Sequence, residues 1–198
     1  MSVFHIRQVI ALIPLSIFIA GCGETVGSRM TPQQKALVPE LRKKFVLQDE
    51  PRGERTVSSV RKLFLEPEDP AKVPTEIDVV IRGRIHNGKL PPWETGKTAF
   101  MLTDATGHSG EADHDPHTCP FCSRNIEDYV AEIGFRDKDR KLYEIDSRDA
   151  FGVKQGQLLL IKGTARMGDD ILKVEATGMY FVKEEPASKP AAETAAQE

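Results

Sequence analysis

Between residues 77 and 85 apolar and polar positions alternate: Ile77, Val79, Ile81 and Ile85 fall on one side, Asp78, Val80, Arg82 and Arg84 on the other. A period of two is that of a half-buried strand. Gly83 interrupts the inward set, where a missing side chain permits a bulge or a sharp coil. Residues 98–104 and 130–136 read as a second and a third strand, and 141–145 as a short extended piece. Residues 147–151 suit a brief helix ending at Gly152. Two long strands follow, 157–166 and 171–182, joined by Gly168-Asp169-Asp170, a hairpin signal. Five strands with a short helical element before the fourth predict a mainly β domain over 76–182, built as a small, strongly coiled five-stranded barrel.

Outside this stretch the pattern changes. Thr31-Pro32-Gln33-Gln34 has the form of a helix start, with Thr31 as cap, Pro32 in the first turn and Gln34 completing a capping box. Leu37, Val38, Leu41 and Phe45 share a helical face, although Pro39 is expected to kink or restart the helix. Residues 56–65 fit a helix through Val57, Val60, Leu63 and Phe64, or a strand through 63–65. Glu66-Pro67-Glu68-Asp69-Pro70 then breaks the chain. Residues 31–75 are therefore a helical and extended segment preceding the barrel. Residues 183–198 are Ala, Glu, Lys and Pro without apolar periodicity and read as a disordered tail.

The segments 79–85 (Val-Val-Ile-Arg-Gly-Arg-Ile), 156–163 (Gly-Gln-Leu-Leu-Leu-Ile-Lys-Gly) and 172–176 (Leu-Lys-Val-Glu-Ala) resemble OB-fold domains of the anticodon-binding type. The resemblance implies an OB-like barrel and, through the family's habits, the binding of single strands by basic grooves and aromatic platforms. The outward set would be Arg82, Arg84, Glu132, Arg136, Lys162, Arg166, Lys173 and Glu175, which contains no aromatic. That argues for a solvated face and against nucleic acid. As an alternative, Arg82, Arg84, Lys162 and Arg166 would take an anionic ligand such as an oligosaccharide, a lipid headgroup or a nucleic acid.

Composition narrows the picture further. The 198 residues are 39% hydrophobic and 29% charged with a formal net charge of −3, which excludes a disordered chain and a whole-protein field for polyanions. No hydrolase or phosphate-binding signature is present, and no carboxylate pair stands out as acid and base. Asp104, Asp137, Asp139 and Asp146 lie at strand ends or turns, where aspartate satisfies local backbone donors.

The N-terminus bears on the compartment. Residues 1–8 carry the fixed charge of Arg7, and residues 9–20 are almost wholly apolar. At about 1.5 Å per residue, this run cannot cross a hydrocarbon core of about 30 Å. It reads as the hydrophobic region of an export signal. Ile19-Ala20-Gly21-Cys22 resembles the bacterial lipoprotein lipobox. The resemblance implies removal of the signal peptide 1–21, acylation of Cys22, and anchorage to a bacterial membrane on its periplasmic side. Gly23 stands where the inner-membrane retention signal has Asp, which favours the outer membrane. Residues 22–30 would be the tether.

Of the three cysteines, two remain for chemistry: Cys119 and Cys122, a single CxxC. They lie in an insertion, 105–129, far longer than a compact barrel needs between its second and third strands. The insertion also holds His108, Glu111, Asp113, His114, Asp115 and His117. Two thiolates one turn apart with imidazoles just upstream suit a tetrahedral cation, so Cys119, Cys122 and two of His108, His114 and His117 are candidate ligands. Zinc is the first choice and copper the second. Pro116, Pro120 and Phe121 would stiffen the knuckle and shield the sulfurs. Two alternatives stay open: a small-ring disulfide, suited to an oxidising compartment, and a dithiol redox pair, since Cys-Pro-Phe-Cys is similar to the motif of thioredoxin-like oxidoreductases. No βαβ pattern surrounds it, and Ser123 replaces the histidine that covalent haem attachment needs. His86, after the first strand, reads as an exposed loop residue, and Trp93 as packing over the barrel end or lining a ligand mouth. The expected role is binding or structural rather than catalytic.

Overall fold

The computed structural model describes residues 30–67, 69–105 and 114–183. The export signal, Cys22, nearly all of the tether, His108 and the tail beyond Lys183 lie outside the described residues. Among those described, no helix is long and apolar enough to cross a membrane.

The chain opens with α1 (Pro32–Phe45). The Thr31 hydroxyl accepts the Gln34 amide at 3.2 Å and the Gln34 side chain accepts the Thr31 amide at 2.7 Å, the reciprocal capping expected from the sequence. α1 runs through Pro39 as one helix, with the ring on its exposed side. A two-residue strand β1 (Glu54–Arg55) precedes α2 (Val57–Leu65), so the ambiguous segment is helical. Thr56 caps it by accepting the Ser59 amide, and Val57, Val60 and Phe64 bury one face.

The barrel strands are β2 (Ile77–Ile85), β3 (Ala99–Asp104), β4 (Val130–Gly134), β5 (Leu158–Gly168) and β6 (Ile171–Phe181). Their order is β2-β3-β4-β6-β5, and pairing of β5 with β2 closes the ring. Every barrel contact is antiparallel except β4 with β6. This is a closed, five-stranded mixed barrel of OB-like type, with β1 added in parallel to β2. α3 (Ser147–Phe151) comes between β4 and β5 and ends at Gly152, φ 74°.

Two glycines make the closure possible. At Gly83 β2 is flanked by both β3 and β5, and a Cβ there would lie 2.7 Å from the Thr103 carbonyl oxygen. At Gly163 the β5–β6 register shifts, and a Cβ would collide with the backbone of Glu175 and Ala176. The hairpin turn has Asp169 at φ 52° and Asp170 at φ 61°, matching the primed turns that follow strand twist.

An aromatic cluster plugs one end. Phe45 of α1 meets Phe135 edge-on at 5.1 Å, and Phe151 of α3 lies 4.5 Å from Phe135. Trp93 packs on Phe100 at 6.1 Å with the Arg148 guanidinium over its ring, the packing role expected. β3 and β4 run from this plug to the opposite end, where Thr103 pairs with Val130 and the long insertion begins and returns.

Candidate metal centre

The described part of the insertion is folded by its own backbone. Asp115 Oδ1 accepts the His117 amide at 2.9 Å, and the Asp115 carbonyl accepts the amides of Thr118 and Cys119. An aspartate before proline favours such a turn. The Cys119 carbonyl in turn accepts the Ser123 amide at 3.0 Å, leading into a 3₁₀ segment, Cys122–Tyr129, broken at Asn125. The final third of the insertion is thus helical.

This turn brings His114, Cys119 and Cys122 together, with one donor atom from each lying within 4.8 Å of the others. His114 Nε2 is 3.4 Å from Cys122 Sγ. Both cysteines are buried, at 9% and 1% exposure, and carry thiols rather than a disulfide. The amide of Cys122 donates to the Cys119 sulfur, and that of Phe121 adds a second bond. Together with the Cys122 side chain they hold the Cys119 thiol below the ordinary cysteine range, against the opposing effect of burial. Backbone amides aimed at a sulfur favour its thiolate, the form that ligates metals. Tyr129 adds a contact the sequence did not signal. Burial, followed by a hydrogen bond to the Cys122 sulfur and repulsion from its charge, pushes the phenol up to about 12. Tyr129 therefore stays protonated and donates to that sulfur.

Phe121 is 71% exposed, so its ring does not provide the shield expected of it. The sulfurs are buried without it.

His117 takes a different place. Its ring lies 4.9 Å from that of His86, and a donor atom from each, with one from Asp115, again falls within 4.8 Å. Burial, then the neighbouring His86, push the His117 imidazole below its ordinary value, partly offset by Asp115. His86 is half-buried and in contact with the insertion, rather than the exposed loop residue expected. Its proximity to residues thirty positions away follows from the antiparallel pairing of β2 with β3, and no local sequence signal carries it.

The cationic set is spread along β2 and β5. Arg82 pairs with Glu54 at 3.3 Å, and Arg84 donates to the Gly156 carbonyl at 3.1 Å. Lys162 is exposed opposite Val80. Arg166 stands opposite Lys173, whose ammonium is 2.7 Å from Asp169.

The chain matches no family model, and no curated protein matches it.

Proposed function

We propose that this chain is an exported lipoprotein, tethered through acylated Cys22 to the periplasmic side of a bacterial membrane, whose barrel displays a transition-metal site. His114, Cys119 and Cys122 are its ligands, with zinc the first ion and copper the second. The observation that supports this most strongly is the convergence of two buried sulfurs and an imidazole within 4.8 Å. Mixed sulfur and nitrogen donors suit a borderline cation. His108, in the same insertion, is the candidate fourth ligand, and a closed shell would make the ion structural. The lipobox resemblance supports the anchor, and the donor set supports metal holding rather than catalysis.

The alternative of an anionic ligand on Arg82, Arg84, Lys162 and Arg166 has less support, because Arg82 is already partnered by a carboxylate. The test uses the full chain in detergent under reducing conditions, with bound metal measured by mass spectrometry beside a thiol count. One equivalent that shields the thiols and is lost in Cys119→Ser supports the reading. Thiols that react freely in the presence of excess zinc overturn it, and rapid exchange with a dithiol substrate would instead indicate an oxidoreductase.

A further inference from the structure

We infer that the chain holds a second divalent-cation site, separate from the thiolate site, formed by His86, Asp115 and His117. Its parts come from two separate segments: His86 directly follows β2, while Asp115 and His117 belong to the turn within the insertion that leads to Cys119. One donor atom from each of the three lies within 4.8 Å of the others, as in the sulfur group. The Asp115 carboxylate lies 3.9 Å from His86 Nδ1.

The surrounding bonds orient the His117 ring. The Thr103 hydroxyl donates to the His86 carbonyl at 2.8 Å, so its oxygen is left to accept, and His117 Nε2 is 3.0 Å away. The proton of His117 is therefore on Nε2, and Nδ1 presents its lone pair. Metal-binding histidines are commonly oriented in this way, by donating the other ring N–H to a fixed oxygen. Nδ1 faces Gly88, where a Cβ would lie only 2.9 Å from it, and Gly88 has φ +59°. The turn after β2 thus leaves room for this nitrogen in a way that a side chain would not.

Two imidazoles and a carboxylate form a harder donor set than two thiolates and an imidazole, suiting Zn²⁺, Co²⁺, Ni²⁺ or Cu²⁺. The three residues also line a cleft of about 760 Å³, walled by Leu90, Met101, Ile126, Val130 and Ile171. Three protein ligands beside an open cleft leave a coordination position for water or an incoming donor, the arrangement that distinguishes open from closed metal sites. The sulfur group has a different setting, with both of its cysteines buried.

The test is a Co²⁺ titration of the untagged full chain in detergent, stripped of metal and kept reduced. Thiolate ligation gives a sulfur-to-cobalt charge-transfer band, whereas the site inferred here gives an equivalent without one. The expected result is a sulfur-free equivalent that disappears in His86→Gln and in Asp115→Asn and persists in the double variant Cys119→Ser, Cys122→Ser. Asp115→Asn keeps the side-chain carbonyl that accepts the His117 amide, and unchanged circular dichroism checks that the variants fold. The inference is overturned if no sulfur-free equivalent is seen, if it survives both His86→Gln and Asp115→Asn, or if it vanishes with the cysteines. The charge-transfer band separately reports the thiolate site, so either reading can fail alone.

Discussion

His114 and Asp115 are consecutive in the chain, yet their side chains join different donor groups. His114 Nε2 lies 3.4 Å from Cys122 Sγ, while Asp115 Oδ1 holds the His117 amide at 2.9 Å. A single step along the chain thus divides the insertion between a sulfur-rich cluster and a nitrogen–oxygen one.

Zinc should slow hydrogen exchange in the turn itself. The amides of Thr118, Cys119 and Ser123 are bonded within the loop, so they exchange through local opening. If zinc binds only the closed turn, free zinc at about 100 times its dissociation constant slows them about 100-fold. The amides of β4 should be unaffected, Cys122→Ser should remove the part of the effect due to the thiolate site, and Cys122→Ser combined with His86→Gln should abolish it. Exchange mass spectrometry with peptides spanning 114–134 reads both.

Thr103→Val tests the orientation of His117. The isosteric change removes the hydroxyl between His86 and His117. Loss of such an orienting partner should weaken Co²⁺ at the second site by roughly 10–100-fold while leaving the charge-transfer band intact. Because two polar groups lose a partner, stability should fall by about 1–3 kcal/mol.

Asp146 should make the fold acid-sensitive. Burial raises its carboxyl, but hydrogen bonds from the Arg148 side chain and backbone, with the guanidinium charge, more than offset this, and the net shift is downward from 3.8. A carboxyl lowered by folding contributes fully above its unfolded value, and the contribution is lost as pH falls through the folded one. Urea unfolding of wild type and Asp146→Asn should therefore differ most near neutral pH and converge on acidification below about 4. Asp146 also caps α3, so Asp146→Ala should cost about 1–2 kcal/mol at pH 7.

Gly163→Ala should damage the barrel more than a surface change would. The added methyl meets backbone atoms of β6 rather than a movable side chain. Forced overpacking of this kind costs about 1–3 kcal/mol or more. Thermal unfolding should show the loss, and Gly53→Ala offers a contrast: its Cβ meets nothing within 4 Å, so only its positive φ of 83° is at issue.

The barrel was legible because its signals are local. Alternation marked β2, the two aspartates after Gly168 marked the hairpin, and Gly152 ended α3, so the five barrel strands followed, while the two-residue β1 is too short to show a pattern. The helix of 57–65 was ambiguous, because the apolar residues at its end suit a strand as well; the Thr56 cap and the burial of Val60 and Phe64 distinguish them. The thiol pair and its histidines were visible as a cluster in the sequence. The partition of those histidines was not, since His117 is drawn to Thr103 and His86 by the pairing of β2 with β3. Tyr129 was equally hidden: only the 3₁₀ turn after Cys122 carries its hydroxyl back to the sulfur.

β4 spans only five residues, roughly 17 Å of wall, but that length separates the Phe45–Phe135–Phe151 stack from every candidate ligand described. Occupancy of the donor end can therefore change without repacking the aromatic end. The strands act as a spacer between the aromatic plug that helps hold the fold together and the end where the proposed metal sites lie.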